Sequence, residues 1–524
     1  MKGWNRTITW TMSAVLFLAT MPAFAEKITP ATDKNSAVPA VPRAIPDLIP
    51  YHKFDPPTST LFDIDKLTIS GDLRVRPEFR TNWKFGRPYY LDGAIIDEKS
   101  NSFFVQQWVR LGFNYSISPD VTFFFQPQYS KNWGVNNTVD ANGTGGTLFA
   151  RQAFMLVRNF LVPNLTVKAG RQLVVWGNHR MFGHFDWNNV GWSHDGLTAE
   201  LKLSNTATLE VGWLRTEERN CAGPSTGNCI GGTQVPGVNA TSDADIVFAR
   251  APMNVGGLVL EPTYIWHNGG TNEGFRIEDA RPANQSRHTV GGRAFKKGKV
   301  GSAVMDATIE GYYQFGEIGG WEDPRGRHMD ISAHAFHIDA GVTLPVAMQP
   351  RLGAEFNTAS GQKNSNTCRA LQDLNDPGDA AQCPSTWSGF DQLYPTNHIH
   401  FGYMDLMSWK NMKHISFGLQ LRPTKDSHFE LTGHKFYLNE LTDHWYFANQ
   451  GYAAFQDTLH GNDTNDLGSE VDVVYTHFFT AGNHVAWQTG AGVFMPGEFI
   501  DRNAVVGGDA VTQTWGYTQL WVNF

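Results

Sequence analysis

A charged residue stands at every second position in Leu73-Arg74-Val75-Arg76-Pro77-Glu78-Phe79-Arg80, with apolar side chains between. A period of two puts Arg74, Arg76, Glu78 and Arg80 on one face of a strand. Arg110 alternates in the same way with Val109 and Leu111. An arginine turned toward lipid at mid-membrane costs about 2–4 kcal/mol, so in a membrane wall these side chains must face water. Two readings stay open: a basic strip that draws anions through a pore, or solvated wall residues with no selective role. Later segments carry acids at the corresponding phase: Glu200, Glu210, Glu261, Glu310, Asp339, Glu355, Glu470 and Asp472. The expectation is a divided wall, basic on the early strands and acidic on the later ones. Its transverse field would favour dipolar or zwitterionic solutes.

Other chemistry finds little support. Histidines cluster at His328/His334/His337 and at His398/His400, but no HExxH or cysteine–histidine spacing accompanies them, so no metal site is expected. Asn462-Asp463-Thr464-Asn465-Asp466 lacks the full spacing of a calcium loop and reads as a polar connection. No G-x-S-x-G and no P-loop occurs, so serine, histidine and acid form no recognisable catalytic set. Neither an enzyme nor a cofactor is expected, and the absence of CxxCH excludes covalent c-type haem.

The elements that must position these side chains follow from composition. Lys2 and Arg6, the mostly apolar run Ile8–Met21 and Ala23-Phe24-Ala25 predict a signal peptide over 1–25. Removing its two basic residues from 42 leaves 40 against 50 acids, a mature net charge of −10, which gives no support to nucleic-acid binding. Mean hydropathy is −0.33, yet 13% of residues are aromatic. No apolar run long enough for a membrane helix follows the leader, and the other structure that satisfies its backbone in lipid is a closed barrel. The four cysteines of an exported chain predict two loop-closing disulfides, Cys221–Cys229 and Cys368–Cys383.

Residues 26–60 are proline-rich and predict an extended periplasmic lead-in. From 61 to 524 we expect an all-β transmembrane antiparallel barrel of about 18 strands. The strands fall near 66–80, 103–117, 120–131, 147–158, 163–174, 194–204, 205–216, 243–252, 255–267, 286–297, 300–315, 329–343, 348–358, 411–422, 426–438, 466–479, 484–495 and 512–524. Short links such as Ser118-Pro119 alternate with long Gly/Asn/Asp-rich connections, as short periplasmic turns and long extracellular loops do. An even strand count puts both termini in the periplasm. The last strand, Tyr517–Phe524, alternates to its final aromatic residue. The longest connection, 359–410, contains Trp387, Phe390, Asp391, Tyr394 and His398 and is too apolar for a solvated tip; it folds inward as a constriction or packs as an outer flap.

Several stretches, in order, resemble the alginate-export family of outer-membrane barrels. They are Ala169-Gly170-Arg171-Gln172, Asp186-Trp187-Asn188-Asn189 with Asp195-Gly196, Phe390–His398 (FDQLYPTNH), Gly402-Tyr403-Met404-Asp405, His434-Lys435-Phe436, Gly468–Asp472 (GSEVD) and Val493–Gly497 (VFMPG). The resemblance implies a monomeric 18-stranded barrel and, for the alginate exporter itself, a narrow arginine-lined pore for an anionic polysaccharide. Arg151 matches the arginine of the family's R-E-x-W-like strand, with Gln152 replacing the acid. Arg171 joins the pore-lining candidates, although the phase of its segment leaves its direction open. The leading expectation is a passive channel for polar or charged solutes, such as alginate or uronates, set in outer-membrane lipid. The alternatives are a barrel serving as sleeve or surface platform for a protein partner, including a periplasmic one, and, more weakly, an outer-membrane hydrolase.

Overall fold

The period-two segments become eighteen wall strands. They are β1 (Leu67–Thr81), β2 (Ser102–Ser116), β3 (Val121–Asn132), β4 (Thr147–Val157), β5 (Leu165–Gln172), β6 (His194–Lys202), β7 (Thr208–Glu217), β8 (Ala244–Arg250), β9 (Leu258–Thr271), β10 (Ala283–Val300), β11 (Ala303–Gly319), β12 (His328–Thr343), β13 (Arg351–Ala359), β14 (Met412–Thr424), β15 (Ser427–Leu438), β16 (Asp466–Phe478), β17 (Val485–Pro496) and β18 (Gln513–Asn523). The computed structural model describes residues 63–64, 66–83, 85, 89–91, 94–96, 101–134, 147–217, 244–271, 283–319, 328–363, 386–450, 452–453, 464–479, 484–503 and 510–524. The signal peptide, the whole lead-in 26–60 and all four cysteines lie outside the described residues.

Each strand pairs antiparallel with its sequence neighbours, and β1 closes the ring on β18 through Leu73↔Val522 and Glu78↔Tyr517. Closure leaves no sheet edge to expose unpaired amides to lipid. The final aromatic residue completes the seam. Phe524 exchanges backbone hydrogen bonds with Gly71 at 2.8 and 3.0 Å, and its ring occupies the space a Gly71 side chain would take.

Burial is inverted relative to a soluble protein. Phe103, Leu148 and Phe417 are 71%, 71% and 67% exposed on the outer face, while Arg74, Gln128, Ser130 and Thr432 are buried on the inner one. The two faces alternate along β14: Ile415 and Phe417 point outward, His414 and Ser416 inward. Short and long connections alternate around the ring as expected. One boundary moved. A link was expected at 297–299, but Lys297 still pairs with Asp306, and the chain turns only at 301–302, where Gly301 takes φ +63°.

Candidate functional site

Residues 173–193, between β5 and β6, turn into the cylinder and are gripped by its inner face. Arg110 donates to both oxygens of Asp186, Nη1 to Oδ2 at 3.0 Å and Nη2 to Oδ1 at 2.9 Å, and Arg151 Nη2 adds a bond to Oδ1 at 2.7 Å. Such fork-to-carboxylate pairs are among the stronger hydrogen bonds a protein makes. Arg74 donates to the Asp186 carbonyl at 2.6 Å, Arg76 to that of Trp187 at 2.8 Å and Arg151 to that of Trp192 at 2.6 Å. The guanidinia of Arg74 and Arg76 also lie 3.4 and 3.5 Å from the ring centres of Trp108 and Trp187. Burial alone would raise the Asp186 carboxyl, but the charges of Arg110 and Arg151 outweigh it and hold it well below the usual carboxylate range.

The far wall holds the same loop by its cation. Arg180 donates to Glu355 Oε1 at 2.5 Å and lies 3.8 Å from Glu310, which also accepts from Asn178 at 2.7 Å. Arg110 on β2 and Glu310 on β11 stand nine strands apart in a ring of eighteen, so the loop spans a diameter.

A second inward loop follows β13. Thr386 and Trp387 pair with Asp330 and Ile331 at the wall, and from Phe390 to Asn411 the chain crosses the bore. Gln314 of β11 clasps Asp391, donating to its carbonyl at 2.8 Å and accepting its N–H at 2.9 Å. Burial would raise the Asp391 carboxyl; its hydrogen bond with His267 and the charges of Lys410 and Arg287 hold it below the usual range instead. On β16, Asp472 accepts the N–H of Tyr403 at 3.2 Å and Glu470 that of Met404 at 2.9 Å. Gly402 sits at φ +85°, and a Cβ there would fall 2.3 Å from the Glu470 carboxylate. Charge thus sorts backbone polarity. Early-strand arginines take carbonyl groups and Asp186, and later-strand acids take N–H groups and Arg180.

The two loops join in mid-bore. Tyr394 N–H donates to Met181 O at 3.0 Å, Gly183 N–H to Tyr394 O at 2.8 Å and Thr396 N–H to His179 O at 2.9 Å. Phe182, Phe390, Tyr403 and Trp409 belong to one buried apolar cluster around this joint. His398 receives support from Asp405 at 2.9 Å; burial draws its ring below the ordinary value although Asp405 opposes this. The segment after β15 packs above: Asn397 donates to Ala448 O at 2.9 Å, and Asp443 accepts from Gln362 N–H at 2.7 Å and Tyr446 O–H at 3.0 Å. Burial pushes the Asp443 carboxyl up to about 7.

The remaining singled-out residues are placed as follows. Arg80 bonds Glu78 at 2.7 Å. Glu210 and Glu261 share Arg250 at 2.8 and 2.5 Å, and Arg293 adds 2.6 Å to Glu261. Asp339 pairs with His337 at 2.8 Å, and Glu200 lies across from Glu210. Arg171 is not in the bore. It pairs with Asp195 at 2.7 Å on the outer face, because Met155 and Ala169 already set that phase. Trp387 packs against Ile318, Met329 and Ile331 near the wall rather than in the joint. Asp186, Arg180 and Trp187 were not picked out as a site from sequence, nor was the inward course of 173–193. The signal was available: the DWNN stretch meets the FDQLYPTNH stretch at the joint, and the GYMD stretch docks on GSEVD.

Residues 255–512 match the family model for alginate export. The alginate-export resemblance read from the motifs therefore holds over the later strands and the second inward loop; the DWNN stretch precedes the matched span. No curated protein matches the chain significantly. Among solved structures, Pseudomonas aeruginosa OccK8 (OprE) is similar at TM-score 0.51 and 11% identity, covering 88% of this chain and 98% of its own. The P. aeruginosa outer membrane protein OpdK aligns at TM-score 0.51 and 10% identity over 87% and 99%. Acinetobacter baumannii OccAB2 aligns at TM-score 0.52 and 10% identity over 87% and 98%. At these identities the likeness is one of fold: a closed 18-stranded barrel of the outer-membrane porin type.

Proposed function

We propose that the protein is a passive outer-membrane channel for polar, charged solutes, narrowed by the joined loops 173–193 and 388–411. The observation that carries this reading is the joint itself, three backbone hydrogen bonds made in the middle of a porin-type barrel. Residues 1–25 direct export, residues 26–60 form the periplasmic lead-in, the short turns and both termini face the periplasm, and the chain works as a monomer. Anionic saccharides such as alginate or uronates are the favoured solutes. On the β1–β4 wall the cations Arg74, Arg76, Arg80, Arg110 and Arg151 outnumber the acids Asp72 and Glu78, even with Asp186 of the loop added. The later wall carries the acids Glu310 and Glu355 that face Arg180, so a field lies across the opening. The chemistry is transport rather than catalysis. A sleeve for a protein partner needs an unobstructed bore, which the packed loops do not favour.

Planar-bilayer recording and liposome swelling test the proposal. Discrete conductance with faster uptake of uronates than of neutral sugars is expected. Absence of conductance refutes the channel, and strong cation preference refutes the arginine filter.

A further inference from the structure

A hydrogen-bonded chain of side chains runs along the later wall from the first loop's anchor to within ion-pair distance of the second's. His337 Nδ1 lies 2.9 Å from Asn357 Oδ1, Asn357 Nδ2 lies 2.9 Å from His414 Nδ1, and His414 Nε2 lies 2.9 Å from His434 Nδ1. His434 Nε2 then faces Asp472 Oδ2 at 3.6 Å. The members sit on five consecutive strands, β12 to β16, and all are buried.

Donor and acceptor roles in this chain are not free. The Asn357 amide nitrogen donates to Glu355 Oε1 at 2.7 Å, so its oxygen faces His337. His337 therefore donates from Nδ1 to Asn357, while its Nε2 faces Asp339 Oδ2 at 2.8 Å. His414 must accept at Nδ1, carry its proton on Nε2 and donate to His434, whose own proton is left pointing at Asp472. From His337 Nδ1 onward every N–H runs the same way, toward Asp472, while a further proton lies between His337 Nε2 and Asp339.

We propose that this chain is a proton-operated switch that sets whether the two inward loops stay docked. A proton added to His414 Nδ1 meets the Asn357 amide N–H, and one added to His434 Nδ1 meets the His414 N–H. The first case flips the Asn357 amide and withdraws its N–H from Glu355, the acid that holds Arg180 of loop 173–193. The second case parts the stacked rings of His414 and His434, 5.1 Å between centres, and turns His434 against Asp472, which holds Tyr403 of the other loop. Either way the proton comes from solvent and no covalent bond breaks; the amide flip also ends the His337–Asn357 hydrogen bond, and one loop has an anchor weakened.

The charged groups facing the chain belong to every element packed on it. Asp339 and Glu355 flank His337, at 2.8 and 3.6 Å. Arg180, with Glu310 behind it, faces Glu355 from the loop. Glu470 on the same strand and Glu430 on β15 face Asp472, Asp405 acts from the second loop, and Arg351 acts on Glu430. Phe401 and Phe436 cover His414.

Bilayer conductance compared between about pH 7.5 and about pH 4.5, across the ordinary histidine range, should rise roughly threefold or more on the acid side. His414→Gln can still donate and accept but cannot take up a proton, and its conductance should stay flat across the same interval. A wild type that does not respond, or a His414→Gln variant that responds like wild type, overturns the switch. The electrical arm rests on the channel reading, and a second arm does not. Histidine 15N NMR of the folded barrel near neutral pH should find the His414 proton on Nε2 alone. A proton on Nδ1, alone or in addition, overturns the proposed polarity whether or not the protein conducts.

Discussion

The indole of Trp187, in the first inward loop, lies flat on the imidazole of His398, in the second, with ring centres 3.8 Å apart and planes 12° apart. This contact adds to the three backbone hydrogen bonds of the joint and to the side-chain bonds that Trp192 and Gln392 make across it. An aromatic pair contributes about 0.5–1.5 kcal/mol, so His398→Ala should shift occupancy of the narrowed state by roughly 2- to 10-fold. Single-channel recording should show longer wide-open dwell times, with barrel unfolding by circular dichroism unchanged. Unaltered dwell times would separate this stack from channel control.

Asp186 is the strongest single tie of loop 173–193. Asp186→Asn leaves Arg151 buried without its carboxylate and Arg110 with only Asp72 at 3.6 Å, a loss of about 3–5 kcal/mol in docking. The expected result is larger conductance with increased anion preference, read as a shifted reversal potential in a salt gradient. The pH dependence has a definite sign. Because the folded carboxyl is held below its ordinary value, its contribution is complete above about pH 4 and fades only as pH falls toward the lower folded value. Mild acid should therefore leave this end of the loop tied.

Asp443 behaves in the opposite sense. Its buried carboxyl titrates near about 7. Docking of the 439–450 segment is favoured while the group is protonated and is weakened progressively as pH rises from about 4 through 7. Protease cleavage within 439–450 should increase over that interval in wild type and be flat in Asp443→Asn. Cleavage that falls with rising pH would contradict the assignment.

Gly402 combines φ +85° with a carboxylate where its side chain would stand. Gly402→Ala should cost about 1–3 kcal/mol of loop docking while leaving the strands intact. Heat-modified gel mobility should remain that of a folded barrel while conductance rises. Loss of the barrel itself would show that the second loop is needed for folding.

Wall strands were readable because lipid and water impose opposite demands on successive side chains, as at Ile415–Gln420. Arg74, Arg76 and Arg110 were correctly turned inward for that reason. Their partners were not readable, since a guanidinium on a strand gives no sign whether it meets a solute or a carbonyl from a residue a hundred positions away. Arg151 shows another limit. The register slips between Gln126 and Pro127, leaving Arg151 as an extra residue opposite, so both it and Gln152 are buried on successive positions. Arg171 was drawn in by its motif with its phase open; its pairing with Ala153 and Asp195 on the outer face settles its direction.

The loop that ties β2 to β11 by Asp186 and Arg180 also does something to the cylinder. A hoop with a strut across its diameter resists being squeezed oval by the lateral pressure of the bilayer. Undocking the loop removes the strut, so the conducting form should be the more compliant one, and membrane tension should act on it more than on the narrowed form.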